Sequence, residues 1–180
     1  MILKFHKLTE KHLDMVRNWR NDPEISKYMN TDDYITEEAH LNWFNKVKKD
    51  PTTKFWVVEA DGKKVGSVYL IDIDMINRRC YWGYYLEVSA RGKGIGRLIE
   101  LNILKYVFEK LNLNKLCGEV LSSNYIVVEI HKKYGSKVEG ILRKQIFKQN
   151  KFIDIVSIGI LKEEWEEIKK QFNFQEVEIN

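Results

Sequence analysis

The sequence has little cysteine and no long apolar run, which excludes several classes of protein. Its two cysteines, Cys80 and Cys117, cannot build a disulfide framework or a metal cluster. Both lie in strand-like runs, so we expect buried, reduced thiols and a cytoplasmic location. No segment approaches the roughly 18 apolar residues of a membrane span. The first residues also lack the apolar stretch and cleavage site of a signal peptide. We therefore expect no contact with membranes.

The chain also has few prolines, no linker sequence and a small net charge. The chain of 180 residues has two prolines, Pro23 and Pro51, and no glycine- or serine-rich segment divides it. This length suits one domain with a substantial core, so we predict a single domain over residues 1–180. Thirty basic residues against 26 acidic ones leave a net charge of +4. That excess is too small to indicate nucleic-acid binding.

Hydrophobic periodicity divides the chain into helical and extended segments. Helical spacing predicts helices over 9–21, 36–49, 98–111, 124–133 and 162–172. Runs rich in β-branched and aromatic residues predict strands over 5–8, 55–59, 65–73, 80–88 and 116–121, and a pair of strands within 141–161. Turn signals stand at Asp61-Gly62 and Gln149-Asn150. The fold class is therefore α/β (α+β), with antiparallel hairpins in the first half.

The most informative segment lies between the third strand and the helix that follows it. Gly92, Gly94 and Gly96 alternate there, and the basic residues among them are Arg91, Lys93 and Arg97. Glycine lets the backbone approach a ligand closely, and N–H groups at a helix start can converge on one anion. The pattern indicates a pyrophosphate cradle, with a basic surface turn as the alternative. It matches neither the Rossmann fingerprint nor the P-loop.

The order Arg91-Gly92-Lys93-Gly94-Ile95-Gly96 resembles the Arg/Gln-x-x-Gly-x-Gly/Ala signature of the GCN5-related N-acetyltransferases, and the likeness extends over nearly the whole chain. It implies acetyl-CoA as co-substrate, no metal, and a mostly antiparallel sheet that splays between two central strands to admit the cofactor. The cofactor-binding residues that the resemblance implies are Leu86, Glu87, Val88, Arg91, Gly92, Lys93, Gly94, Ile95, Gly96, Arg97 and Asn124. For Asn124, an ordinary helix N-cap is the alternative role.

The resemblance also implies direct attack of an amine on the thioester, without an acyl-enzyme. The family usually has a tyrosine four residues before the glycine that ends the helix, here Gly135. This chain departs from the pattern, because that position holds His131. An imidazole can donate a proton near neutral pH, so we predict His131 as the proton donor and Tyr134 as the alternative. Glu87 is the candidate base, although a chain of water molecules would suffice.

A narrower resemblance lies in the first third of the chain. The runs Trp19-Arg20-Asn21-Asp22-Pro23 and 36–44 resemble the sugar-nucleotide N-acetyltransferases of pseudaminic acid biosynthesis. Those enzymes acetylate the 4-amino group of a UDP-linked 4-amino-4,6-dideoxy sugar. The resemblance puts Arg20 and His40 near the nucleotide diphosphate, a group that suits a guanidinium. The alternatives are a surface ion pair for Arg20 and a solvated helix position for His40.

Other functions stay open at this point. Trp-Arg-Asn motifs also occur in ribosomal-protein acetyltransferases, so the acceptor could be a protein N-terminus, an amino acid or a small amine. A non-catalytic acyl-CoA-binding module is a third alternative. The retention of Arg91, Gly94, Gly96 and a protonatable group at position 131 argues against that alternative. The expected partner is a UDP-amino-sugar, with neither nucleic acid nor membrane, and a homodimer is a further expectation.

Overall fold

A single mixed sheet organises the chain in the computed structural model, which describes residues 1–177 and 179. Its strands are β1 (Leu3–Lys7), β2 (Lys54–Ala60), β3 (Lys63–Asp74), β4 (Arg79–Leu86), β5 (Lys115–Leu121), β6 (Lys137–Lys148) and β7 (Lys151–Leu161). Their order across the sheet is β1-β2-β3-β4-β5-β7-β6. Every neighbouring pair is antiparallel except β4 and β5. The predicted fold class is confirmed.

Local sequence signals fix the ends of the helices. The helices are α1 (Leu13–Asn21), α2 (Pro23–Ser26), α3 (Glu37–Val47), α4 (Ile95–Lys105), α5 (Tyr125–Lys133) and α6 (Lys162–Ile168). Thr36 caps α3, because its hydroxyl oxygen accepts the Ala39 N–H at 3.2 Å. Asp22 ends α1, and its carboxylate caps α2 by accepting the Glu24 N–H at 2.8 Å. The sequence did not predict α2, since four residues are too few to show a period.

The two predicted hairpin turns are present. Asp61 and Gly62 join β2 to β3 with φ values of +49° and +82°. Gln149 and Asn150 join β6 to β7 with φ values of +51° and +57°. Positive φ at both central residues is the geometry that suits the twist of a two-residue hairpin. The prediction that the last two strands begin at residue 141 was wrong, because β6 already pairs with β7 from Lys137 onwards.

The last helix and the last part of the chain also differ from the prediction. We predicted one helix over 162–172, but α6 ends at Ile168 and a 3₁₀ turn, Lys169–Gln171, follows it. In the described part of the chain, no helix is both long enough and apolar enough to cross a bilayer. Cys80 and Cys117 are buried and unpaired, as expected. Burial raises the pKa of the Cys80 thiol to about 12, so it is an unreactive core residue.

The sheet opens between its two parallel strands. β4 pairs with β5 only from Arg79 opposite Lys115 to Tyr81 opposite Cys117. Beyond that point β4 continues against β3 to Leu86, while β5 continues against β7. Within residues 1–177 and 179, the edge of β4 over 82–86 therefore has no strand partner on the β5 side. This is the splay that the family resemblance implies.

Helix α4 starts at this opening and is buried on nearly all sides. Its apolar residues pack into the main core, which also takes in residues from all strands except β6. A π-helical turn, Tyr106–Lys110, extends the helix, and the Leu111 N–H donates to the Tyr106 carbonyl at 2.9 Å. Leu101 and Leu104 of α4 and Phe108 of its extension are buried. Two polar residues of α4, Glu100 and Asn102, are buried as well.

Candidate active site

The glycine-rich loop joins the end of β4 to the start of α4. Gly92 and Gly94 have left-handed φ values of +74° and +80°, a region that residues with a Cβ rarely adopt. A Cβ at either position would meet no atom within 4 Å, so the space over the loop is open. Gly94 is the N-cap of α4, whose first N–H groups lack partners in the helix and form the positive end of its dipole. The loop therefore fits a pyrophosphate.

Gly96 meets a different requirement from the other two glycines. A Cβ there would lie 2.8 Å from the hydroxyl oxygen of Tyr84, a residue of β4. The position thus needs glycine because a neighbouring side chain lies close to the backbone. Ile95, between the two glycines, is buried in the main core and anchors the first turn of α4.

The arginines of the loop are tied to backbone carbonyls. Arg91 donates from Nε to the Leu86 carbonyl at 3.3 Å and from Nη2 to the Glu24 carbonyl at 3.0 Å. Arg97 donates from Nη2 to the Asn173 carbonyl at 3.1 Å. These bonds brace the loop against β4, α2 and the last part of the chain. Lys93 is exposed, and contact of these three residues with the cofactor stays a prediction.

The strand end before the loop carries Leu86, Glu87 and Val88. The Glu87 N–H donates to the Val65 carbonyl of β3 at 2.9 Å, while Val88 begins an exposed 3₁₀ turn instead of extending the strand as predicted. The Glu87 carboxylate accepts the Ser89 hydroxyl at 2.7 Å and pairs with Lys63 at 3.1 Å. The Ser89 bond, followed by Lys63, holds the pKa of Glu87 below its usual value. This lowered pKa weakens Glu87 as a base, and its role stays a prediction.

His131 lies on α5 and is 6% exposed. Its Nδ1 is 2.8 Å from Oε1 of Glu100, which is 1% exposed. The ring meets Trp82 of β4 edge-on, with 5.2 Å between centroids. The indole nitrogen of Trp82 is in turn 3.7 Å from where a Cβ of Gly118 on β5 would be. His131 thus packs against the side chain that lies between the two parting strands.

Tyr134, the alternative proton donor, packs against Phe172 with 5.6 Å between ring centroids. Burial, with a smaller contribution from Glu100, raises the pKa of Tyr134 above its usual value. Burial and Glu100 also raise the pKa of Tyr84. Both phenols are therefore uncharged at neutral pH. Asn124 stands at the N-cap position of α5, as the alternative predicted, but its side chain forms no capping hydrogen bond.

The predicted acceptor residues lie on α1 and α3. His40 is 5% exposed, and its ring stacks on Trp43 with 5.0 Å between centroids. Its Nδ1 and the Nε of Arg20 are buried and have no hydrogen-bond partner. Among the described residues, no carboxylate comes within 4 Å of Arg20. Neither alternative from the sequence holds, because Arg20 forms no surface ion pair and His40 is not solvated.

The sequence analysis missed a buried lysine whose ammonium group lies near Arg20. Lys148, near the end of β6, is 3% exposed, and its ammonium group donates to the carbonyls of Ser26 and Met29, the latter at 2.8 Å. Burial, followed by the charge of Arg20, lowers the pKa of Lys148, while Asp32 opposes the shift. Burial and then Arg20 also lower the pKa of His40. We call Arg20, His40 and Lys148 the basic cluster.

The basic cluster lies close to the candidate cofactor site. Trp19, the neighbour of Arg20 on α1, meets Tyr85 edge-on with 6.5 Å between ring centroids. Tyr85 is the residue of β4 just before the strand end that the family resemblance assigns to pantetheine. The charge of Arg20 also acts on the pKa of Tyr85, where it opposes the larger effect of burial. The structure therefore brings the predicted acceptor residues beside the end of β4.

Comparison with known proteins agrees with this geometry. The family model described as an acetyltransferase (GNAT) domain matches residues 3–137. Acetyltransferase PseH of Campylobacter jejuni subsp. jejuni serotype O:23/36 (strain 81-176) is 29% identical over 72% of this chain and 79% of its own length. Spermidine N(1)-acetyltransferase of Escherichia coli (strain K12) is 26% identical over 91% of this chain and 88% of its own length.

A solved structure supports the same assignment. The crystal structure of spermidine N-acetyltransferase from Vibrio cholerae in complex with CoA and spermine superposes with a TM-score of 0.86 at 27% identity. It covers 91% of this chain and 98% of that chain. GNAT acetyltransferases use acetyl-CoA, and the open loop and the splayed strands suit that cofactor. The chain belongs to the GNAT family of acetyl-CoA-dependent N-acetyltransferases.

Proposed function

We propose that the protein transfers the acetyl group of acetyl-CoA to the 4-amino group of a UDP-linked 4-amino-4,6-dideoxy sugar. The observation that carries this proposal is the basic cluster. Among the residues that the structure describes, the buried Nε of Arg20 has no hydrogen-bond partner, and no carboxylate lies within 4 Å of its guanidinium. A buried donor without a partner is costly unless a ligand satisfies it. A diphosphate supplies the acceptor oxygens and the negative charge that this cluster lacks. The resemblance to PseH supports the same acceptor class.

Polyamines are the main competing acceptors, because several relatives are spermidine acetyltransferases. A polyamine is cationic and would need carboxylates where this chain has Arg20 and Lys148. Like charges in a partly buried site repel each other, so the cluster disfavours such a ligand. A protein N-terminus or an amino acid could offer Arg20 a peptide carbonyl or a single carboxylate. A diphosphate offers several charged oxygens, which suits a cluster of three basic residues better.

Each part of the candidate site has a task in this reaction. Acetyl-CoA supplies the acetyl group as a thioester. The loop over residues 92–96 binds the pyrophosphate, and the free edge of β4 binds the pantetheine and polarises the thioester carbonyl. Arg20 and His40 bind the diphosphate of the acceptor, and His131 donates a proton. Fixing both substrates in the splayed sheet can lower the barrier by roughly 7–11 kcal/mol at best.

The wider setting is part of the same proposal. The buried free thiols of Cys80 and Cys117 support a reducing, cytoplasmic location. The whole chain, residues 1–180, acts as one catalytic domain. A homodimer stays a prediction.

The acceptor can be identified by release of free thiol from acetyl-CoA. The protein is incubated with a UDP-linked 4-amino-4,6-dideoxy sugar, with spermidine, and with a peptide that has a free N-terminus. We expect the highest kcat/KM for the UDP-sugar. Faster turnover of spermidine or the peptide would overturn the proposed acceptor but not the acetyltransferase activity.

Arg20→Ala tests the role of the basic cluster. We expect the KM for the UDP-sugar to rise roughly ten- to a hundredfold, because a lost charge-assisted hydrogen bond costs about 1.5–3 kcal/mol. The KM for acetyl-CoA should not change. Arg78→Ala is the control, since Arg78 is exposed in the turn between β3 and β4 and donates to the Asn112 carbonyl at 2.8 Å. Equal effects of the two substitutions would contradict a specific phosphate contact.

A further inference from the structure

The pair formed by Glu100 and His131 has no explanation in packing alone. Glu100 is the one carboxylate among the buried residues that the structure describes, and its Oε2 has no hydrogen-bond partner. Removal of a carboxylate from water costs several kcal/mol, and an apolar residue of similar size would fit a helix that is otherwise buried in the core. The charge is therefore retained at this position for a reason other than stability.

We propose that Glu100 is a positioning residue that fixes the imidazole of His131 for proton transfer. This inference rests on the acetyl transfer proposed above, with His131 as the proton donor. An ionised carboxylate has no proton to donate, so the 2.8 Å contact requires a hydrogen on Nδ1 of His131. The bond holds the ring in one orientation. It also leaves Nε2 as the nitrogen that gives up a proton.

The pair also explains the departure from the family's usual tyrosine. A phenol stays protonated up to about pH 10 without help, whereas an imidazole with a reference pKa of about 6.5 is mostly neutral at pH 7.5. A histidine at this position therefore benefits from a carboxylate partner. The edge-on contact with Trp82 of β4 restrains the other side of the ring.

The remaining groups around His131 do not replace Glu100. Tyr84 on β4 and Tyr134 on α5 are the nearby titratable residues, and burial, with Glu100, keeps both phenols protonated. Arg97 on α4 is the nearby cation, and its guanidinium acts on Tyr134 and donates to the Asn173 carbonyl. Among the described residues, Glu100 is thus the negative charge that faces His131.

The proton balance of the reaction closes with this pair. In acetyl transfer a C–N bond forms, a C–S bond breaks, one proton leaves the amine nitrogen and one proton reaches the sulfur. His131 donates the Nε2 proton to the sulfur and is reprotonated by the proton that the amine releases. Glu100 stays ionised throughout and stabilises the positive charge on the ring. No oxidant, reductant or further co-reactant is needed.

A double-mutant cycle tests whether Glu100 acts through His131. Glu100→Gln keeps the size of the side chain and removes its charge, and we expect kcat to fall about ten- to a hundredfold at pH 7.5. The alkaline limb of the kcat profile should move to lower pH. In the background of His131→Tyr, the same Glu100→Gln change should alter kcat less than about twofold. Equal losses in both backgrounds, or no loss in either, would overturn the proposal.

Two measurements separate positioning from a structural role. Thermal melting and the affinity for CoA should be close to wild type in Glu100→Gln. Glu109→Gln is the matched control, because the substitution removes the same charge. Glu109 lies on the π-helical extension of α4 and pairs with Lys169. This control should keep the wild-type kcat and pH profile. A loss of kcat in the control equal to that in Glu100→Gln would contradict the proposal.

Ring nitrogen NMR gives a test that does not depend on the acceptor. In the wild-type protein with CoA, neutral His131 should carry its hydrogen on Nδ1. A hydrogen on Nε2 and a bare Nδ1 would mean that Glu100 is protonated, and that result would overturn the proposal even if Glu100→Gln did not fold. If UDP-sugars fail as acceptors, the cycle is measured with whichever amine the wild type acetylates. The acceptor assignment and the Glu100 assignment can therefore fail independently.

Discussion

The described part of the chain buries two histidines in surroundings of opposite charge. His131, on the side of the glycine-rich loop, faces the carboxylate of Glu100 at 2.8 Å. His40, on the side of the N-terminal helices, lies near Arg20, and its Nδ1 has no hydrogen-bond partner among the described residues. Burial, followed by Arg20 and Arg17, lowers the pKa of His40, and Asp14 opposes this shift less strongly than the two arginines promote it. A carboxylate favours the charged form of an imidazole, while a neighbouring cation disfavours it. The two rings are almost equally buried, but one is held by a carboxyl group, while burial and a nearby cation lower the pKa of the other.

This contrast divides the candidate site into two regions with different chemistry, one around His131 and one around His40. The region around His131 suits the proton transfer that we propose, because the carboxyl group of Glu100 holds the ring at 2.8 Å. The region around His40 has donors without acceptors, which is what a phosphate needs. Arg91 links the two regions, because its guanidinium bonds both the end of β4 and the Glu24 carbonyl of α2. Substitutions in each region should accordingly change different kinetic constants.

The largest expected effect is on cofactor binding, and it comes from a substitution that leaves both histidines in place. Gly94 has a φ of +80°, which a β-branched side chain tolerates poorly, so Gly94→Val should abolish acetyl-CoA binding while the domain stays folded. Calorimetry measures the affinity, and circular dichroism checks the fold. Gly140→Val is the matched control, since a Cβ at Gly140 meets no atom within 4 Å and its φ is not positive. Near-normal affinity in a folded Gly94→Val protein would refute the pyrophosphate cradle.

The next effect concerns the proton donor. His131→Phe should keep the affinity for acetyl-CoA but lower kcat by about 10²–10⁴, the range for a lost general acid. His131→Tyr should recover part of kcat, because a phenol can donate in the same place. Tyr134→Phe should be nearly silent, since Tyr134 packs against Phe172. The reverse result, a strongly reduced kcat in Tyr134→Phe and a near-normal kcat in His131→Phe, would mean that Tyr134 is the proton donor.

Sequence patterns predicted the parts of this fold that depend on neighbours along the chain. The turns at Asp61-Gly62 and Gln149-Asn150 and the start of α3 after Thr36 are set by residues at most a few positions apart. The start of β6 was missed because it depends on pairing with β7, and Lys137 has no extended signal of its own. The glycine-rich loop was predictable for the same reason as the turns, because strand end, glycines and helix start are contiguous.

The buried polar residues of the site were not predictable to the same degree. Lys148 donates to carbonyls that lie 117 to 122 residues earlier in the chain, and no local pattern reports such a contact. The burial of Glu100 had a signal, because a helix that is apolar nearly all round is enclosed by other elements. The contact of Glu100 with His131 had no such signal in the sequence, because His131 lies 31 residues away on another helix.

The smallest expected effect is the pH dependence that His40 gives to stability. Burial, followed by Arg20, lowers the pKa of His40 below the reference value of 6.5. The folded protein therefore holds this ring neutral, and the unfolded chain binds a proton more readily once the pH falls below about 6.5. The contribution of His40 to the free energy of unfolding is complete above about pH 6.5. This contribution is lost as the pH falls towards the lower pKa that His40 has in the folded protein.

Thermal melting between pH 7 and pH 5 measures this contribution. His40→Gln should flatten the fall in Tm relative to wild type, while His12→Gln should flatten it less, because His12 is only partly buried. UDP added to the wild type should also reduce the fall, since a diphosphate beside His40 favours the protonated ring. UDP should have no such effect in His40→Gln. If neither His40→Gln nor UDP changes the fall in Tm with pH, the neutral ring of His40 faces no anion site. The difference between His40 and His131 would then be one of packing only.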